Sequence, residues 1–133
     1  MAPNCEPAVI AGDLQLGQQA MPGFATATEA YNALHAGATH LKLLPAISHS
    51  PPHVRALRAV LPAEAKVYSV GGIGAKDILP WLAAGAAGFG FGSELFRPEY
   101  SLADIERRAL ELVRAYSQAC RELGRPRDGS RAN

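Results

Sequence analysis

The residue type best suited to covalent chemistry in this chain is a lysine set inside an apolar run. Lys42 lies in His40-Leu41-Lys42-Leu43-Leu44-Pro45-Ala46, with leucines on both sides and a proline that stops the run. This pattern reads as a central parallel strand, apolar on both faces, with Lys42 near its carboxyl end. A lysine so placed must be paired or must give up its proton. Burial can lower a lysine pKa by about 3–5, and the neutral amine can then attack a carbonyl to form a Schiff base. The iminium draws electrons from a neighbouring carbon–carbon bond, which can break. The plain alternative is a lysine on an edge strand with its ammonium in water.

Gly71-Gly72 and Gly92-Ser93 are the next candidates. Each is read as following a strand and preceding a helix, where glycine lets backbone amides approach an anion and a helix amino end adds positive potential. In βα barrels the phosphate commonly sits at the loops after the last two strands. Gly88, Gly90 and Gly92 alternate with Phe89 and Phe91, which puts glycines on one strand face and phenylalanines, packed under helices, on the other. The bare face leaves room for a ligand or for a crowded core. Its spacing is not that of a dinucleotide fingerprint.

The histidines carry less. Ser50-Pro51-Pro52 separates His49 from His53, so their rings are not expected on one helix face, and no metal site is expected. His35 and His40 read as surface or helix-end residues. Cys5 and Cys120 are far apart and read as free thiols of a cytoplasmic protein. No Ser/His/Asp set and no cofactor motif is evident.

The elements that must position these residues alternate. Asn4 is a candidate cap for a helix from Glu6 or Pro7 to Leu16, followed by a short strand at Gln18–Met21 that Pro22-Gly23 closes. Thr26-Ala27-Thr28-Glu29 has the pattern of a capping box for a helix that turns Ala30, Leu34 and Ala33 inward and ends at Gly37. The lysine strand spans Thr39–Leu44. A helix from Ser48 or Ser50 to Val60 has Val54, Leu57 and Val60 as its stripe. Lys66–Val70 is a strand. Asp77 opens a helix that buries Ile78, Leu82 and Trp81, and Gly88–Gly92 is the last strand. Ser101 caps the longest helix, with Leu102, Ile105, Ala109, Leu112, Val113 and Tyr116 inward, and Arg107, Arg108, Glu111 and Arg114 on a solvated face.

This is a strand–helix unit repeated four times, which requires parallel strands with helical crossovers. The architecture is a doubly wound sheet or part of a (β/α)8 barrel. A whole barrel takes about 200 residues or more, and the chain has 133, so length alone favours the open sheet. Residues 1–123 form one α/β domain, and 124–133 read as a polar, disordered tail. The formal net charge is +1 with 48% apolar residues, which gives no basic stripe for nucleic acid. Apolar runs stop well short of about 18 residues, so no membrane span is expected. The start, Met1-Ala2-Pro3-Asn4, does not read as a signal peptide.

Together these stretches resemble a family. Gly37-Ala38-x-x-Leu41-Lys42-Leu43-Leu44-Pro45-Ala46 is similar to the Schiff-base strand of the 2-keto-3-deoxy-6-phosphogluconate and 2-keto-3-deoxy-6-phosphogalactonate aldolases. Val70-Gly71-Gly72-Ile73 and Gly88-Phe89-Gly90-Phe91-Gly92-Ser93-Glu94-Leu95 resemble their two phosphate turns. Ala2-Pro3-Asn4-Cys5-Glu6-Pro7 and Met21-Pro22-Gly23-Phe24-Ala25-Thr26 resemble the ends of their fourth and fifth strands. The resemblance spans residues 1–120 and implies the C-terminal part of a (β/α)8 barrel, about four βα units plus a long final helix.

It further implies a homotrimeric, metal-free and cofactor-free class I aldolase. Such an enzyme cleaves a phosphosugar acid to pyruvate and glyceraldehyde 3-phosphate. Lys42 would hold pyruvate as an imine, Gly71, Gly72, Gly92 and Ser93 would hold phosphate, and Val70 and Pro45 would select the substrate. Valine at position 70, where gluconate-type members carry threonine, points to the galactonate type. The gluconate type, a phosphate-binding module without chemistry and a phosphosugar isomerase or epimerase are the alternatives. Lysine within Leu-Lys-Leu-Leu-Pro speaks against the last.

Nothing here matches the family's first three βα units, which supply its general acid/base glutamate, and Glu29 follows a different strand. The expectation is therefore a fragment, a truncated reading frame, or a chain that closes against another.

Overall fold

The computed structural model describes residues 1–126. Its regular elements are α1 (Pro7–Gln15), β1 (Gly23–Phe24), α2 (Ala27–His35), β2 (His40–Leu43), α3 (Pro51–Val60), β3 (Lys66–Val70), α4 (Ile78–Ala83), β4 (Gly88–Gly90) and α5 (Leu102–Glu122). The strands form one parallel sheet in the order β1-β2-β3-β4, so each helical crossover leads to the adjacent strand. Sequential parallel order is the connectivity of a barrel wall, not of a doubly wound sheet, whose strand order reverses at a switch point. The fold is α/β and constitutes part of a barrel.

Local signals set most boundaries. The Thr26 hydroxyl accepts the Glu29 amide, and the Glu29 carboxylate accepts the Thr26 amide, so the expected capping box starts α2. A second capping box, Ser101 with Asp104, starts α5. Gly37 and Gly85 end α2 and α4 at φ values of 98° and 105°, a region that glycine enters without penalty.

Several expectations shift. Asn4 does not cap α1: the N-cap is Glu6, without a side-chain bond. The first strand is Gly23–Phe24, not Gln18–Met21. The Gly23 amide donates to the Asn4 carbonyl, and Ala2 donates to Met21, which lays Ala2–Asn4 beside β1. A Cβ on Gly23 would sit 2.1 Å from the Pro3 oxygen, so the residue read as a turn is the only type that permits this close pairing. The last strand stops at Gly90, not Gly92.

In α3 the stripe is Val54 and Leu57, while Val60 is 57% exposed and Leu61, just past the helix, is buried instead. On α5 the buried residues are Leu112, Ala119 and Cys120, with Ala115 and Tyr116 half-covered, whereas Leu102 is 87% exposed and Val113 63%. The cause is length: α4, the partner of α5, has six residues, about 9 Å, against about 32 Å for α5. Arg125, assigned above to the tail, donates to the Ala86 carbonyl at 2.9 Å. Residues 127–133 lie outside the described residues.

The two faces of the sheet differ. Leu41, Leu43, Val67 and Ser69 are fully buried and point under α2, α3 and α4, against Ala30, Ala33, Val54, Leu57 and Trp81. The opposite face carries His40, Lys42, Tyr68 and Val70, with Gly23, Gly88 and Gly90 in register beside them. The glycines of β4 resolve the open question of their bare face: it is crowded. A Cβ on Gly88 would meet the Tyr68 ring at 3.1 Å, and one on Gly90 would meet Val70 Cγ2 at 2.9 Å. Phe89 and Phe91 point to the other side, where Phe89 meets Tyr116 edge to face.

Gly90→Ala is therefore expected to destabilise the fold by about 1–3 kcal/mol in urea denaturation. Most of the loss should return in Gly90→Ala/Val70→Ala, where the colliding methyl is gone.

Candidate active site

Lys42 is 6% exposed, and its neighbours across the sheet are Gly23 on β1 and Tyr68 on β3. Among the described residues the ion pairs join Arg107 to Asp104 and Glu111, and none reaches Lys42. Burial without a counter-charge pushes the amine below the ordinary lysine value of 10.5. The lysine sits, as expected, near the carboxyl end of a central strand, but only one face of that strand is apolar and covered. The other face is the one that carries the amine.

His40 starts β2 on this face. It is half-buried, its ring stacks on Tyr68 at 5.7 Å, and its ring nitrogens meet the Gln19 amide nitrogen. Burial, and then the charge of Lys66, hold its pKa below the usual histidine value. His35 ends α2 and is exposed. Contrary to expectation, the rings of His49 and His53 come together, stacked at 4.5 Å, because Pro51-Pro52 opens α3 at its first turn and does not separate them. Stacked rings do not converge on an ion, and the described residues contain no group of three or more metal-type ligands.

Both glycine turns lie at the carboxyl ends of their strands, on the same rim as Lys42. Gly71 and Gly72 have φ values of 97° and 75°. The amides of Gly72 and Ile73, and those of Ser93 and Glu94, donate to no backbone carbonyl among the described residues. The turns adjoin one another. Val70 pairs with Gly90, and a Cβ on Gly74 would lie 3.7 Å from the Glu94 carboxylate.

The second turn differs from expectation in one respect: no helix follows Gly92-Ser93 directly. A single turn closes there, with Leu95 and Phe96 donating to Gly92 O, and α5 starts only at Leu102. Two arginines secure it from behind. Arg97 Nε donates to Ser93 O at 3.2 Å and Arg108 to Glu94 O at 3.3 Å, and both guanidiniums lie against the Tyr100 ring. Arg108, expected on the solvated face of α5, is half-buried at this turn, which helical periodicity does not reveal. Tyr68 was also missed, although its two-residue spacing from Val70 marks it as facing the same way.

Glu29 is accounted for structurally. Its carboxylate accepts the Ala25 and Thr26 amides and the Thr26 hydroxyl, which hold its pKa low. It is a cap, not a proton shuttle. An apolar groove of about 390 Å³ runs between β4 and α5, lined by Phe89, Phe91, Leu112, Val113 and others, and does not include Lys42.

No protein-family model matches the chain. Over 119 residues it is 40% identical to 2-dehydro-3-deoxy-6-phosphogalactonate aldolase of Escherichia coli (strain K12), a stretch that covers 90% of this chain and 58% of that protein. The solved structure described as native KDPGal superimposes with a TM-score of 0.87 at 40% identity, over 90% of this chain and 58% of that one. This chain resembles the KDPGal aldolases. It spans a little over half the length of those relatives. A 4-hydroxy-2-oxoglutarate/2-dehydro-3-deoxyphosphogluconate aldolase from TTHB1 is more distant, at TM-score 0.72 and 25% identity over 86% of this chain and 56% of that one.

Because the folded state disfavours the protonated amine, the unfolded chain binds more protons between the lowered pKa and 10.5. Stability should therefore rise with pH across that window. Lys42→Met should be more stable than the parent below the window and should lose this rise, as read by urea denaturation from pH 7 to 11.

Proposed function

We propose that this chain carries the imine-forming and phosphate-holding part of a class I aldolase site for 2-dehydro-3-deoxy-6-phosphogalactonate. The single observation behind this reading is the uncompensated burial of Lys42 on the rim where two turns present free amides.

The chemistry follows from the amine. Neutral Lys42 Nζ adds to the C2 carbonyl of the keto acid, and loss of water leaves an iminium. Removal of the C4 hydroxyl proton sends the C3–C4 electron pair into the iminium, which releases glyceraldehyde 3-phosphate and leaves an enamine. Protonation of the enamine at C3 and hydrolysis release pyruvate and restore the amine. The phosphate would rest on the Gly71–Gly72 and Gly92–Ser93 turns. Val70, wedged against Gly90 on the lysine face, offers no hydroxyl to the sugar chain, and Pro45 borders the turn beside it.

Proton transfers of this kind gain about 10²–10⁴-fold from a positioned acid/base. No described carboxylate pairs with Lys42, so imine formation is the step assigned to this chain. The reading includes a cytoplasmic setting and trimeric assembly, and it needs no cofactor.

Borohydride in the presence of pyruvate should fix one reduced pyruvyl group on Lys42, located by peptide mass mapping. The yield should climb with pH below 10.5 as the amine loses its proton. An unmodified Lys42 in folded protein would refute the assignment. Glu94 is a like charge beside the anion turns. Glu94→Gln should therefore tighten inorganic phosphate binding by about 2–5-fold in calorimetric titration, in the range of a partly solvated charge pair.

A further inference from the structure

The first anion turn is built from two glycines at positive φ, and such a turn has little stiffness of its own. Strand pairing stops at the residue before it: the β3–β4 ladder ends at Val70 and Gly90 and the β2–β3 ladder at Leu43 and Ser69, so neither glycine lies in a ladder. What holds the turn is the loop that leaves the lysine strand. A Cβ on Gly71 would lie 3.4 Å from Leu44 Cδ1 and 3.5 Å from Pro45 Cα. The Ile47 amide donates to Gly71 O at 2.9 Å. A Cβ on Gly72 would lie 2.6 Å from Ile47 Cβ and 2.8 Å from its Cδ1. Ala46, next to Ile47, is fully buried and anchors the loop in the core.

Ile47 itself is 70% exposed, so core packing does not account for a large apolar side chain there. Its side chain lies against Gly72 of the turn. We infer that Ile47 is a positioning residue: its amide bond to Gly71 and its side chain laid over Gly72 hold the anion turn at a set spacing from the Lys42 amine. The inference rests on the function proposed above and adds to it the element that joins the two halves of the site. Preorganised amides bind an anion without paying for their own ordering, so loosening this contact should weaken phosphate binding and leave the amine untouched.

The test compares Ile47→Gly, which keeps the main-chain bond but strips the side chain, with Ile47→Val, which keeps Cβ and Cγ1 beside Gly72 and removes only Cδ1. Three measurements are made on each full chain: calorimetric affinity for inorganic phosphate, borohydride trapping of pyruvate, and hydrogen exchange at residues 71–73. Ile47→Gly should weaken phosphate binding by about tenfold or more, the scale of a displaced binding group. It should speed exchange at 71–73 and leave pyruvate trapping unchanged, while Ile47→Val should match the parent.

Unchanged phosphate affinity and exchange in Ile47→Gly would overturn the inference. So would a parallel fall in trapping, which would mean general damage. If the parent neither binds phosphate nor traps pyruvate, the proposed function fails, and the positioning role fails with it. The exchange data would still report whether Ile47 stiffens the turn.

An independent check of the geometry needs no ligand. Gly72→Ala suffers both a strained φ and a collision with Ile47. In the Ile47→Gly background only the strain remains, so part of its loss of melting temperature should return. No recovery would also overturn the inference.

Discussion

A lysine that is 6% exposed and has no counter-charge among the described residues is the constraint to which the rest of this structure answers. Folding around Lys42 costs free energy at neutral pH, because an ammonium loses hydration that nothing among the described residues replaces as an ion pair. The sheet tolerates this because its other face is well packed, with Leu41, Leu43 and Val67 fully buried beneath three helices. Gly23 is the lysine's neighbour on one side, and Tyr68, leaning over Gly88, is its neighbour on the other. A cost of this kind persists where a reactive group is needed, since a hydrated lysine would hold its proton and not act as a nucleophile.

The glycines divide into two kinds with different physical reasons. Gly23, Gly88 and Gly90 are small because something else occupies the space: the Pro3 carbonyl, the Tyr68 ring and the Val70 methyls. Gly71 and Gly72 are glycine because the chain bends there through positive φ, and Gly72 also because Ile47 lies across it. The second turn reaches the same end differently. Its carbonyls are tied back by Leu95, Phe96, Arg97 and Arg108, which leaves the Ser93 and Glu94 amides pointing free. One turn is held from the front by an aliphatic side chain and the other from behind by guanidiniums. Both thereby present amides on the rim that the lysine shares.

The open edges bear on assembly. Among the described residues β4 has no strand on its outer side, and α5 carries Leu102, Leu110 and Val113 into solvent beside an apolar groove. Such surfaces are favourable to bury. The relatives matched here are longer than this chain.

The amino-acid sequence alone determined what local rules govern. These are the Thr26–Glu29 capping box, the Ser101 cap, the glycine helix stops, the β3 boundaries to the residue, the parallel α/β class and the lysine set in an apolar strand. Each depends on residues within a turn or two of one another, so each is legible without the fold. Tertiary structure decided the rest. Periodicity placed Val60, Leu102 and Val113 inward, but a stripe is buried only where a partner is long enough to cover it, and α4 is not. Alternation put glycines on one face of β4, yet only packing showed that Tyr68 and Val70 fill it. His49 and His53 meet across two prolines, and Ile47 crosses from one loop to another. No spacing in the chain encodes a contact between residues 47 and 72, because it exists only when two parallel strands bring their ends together.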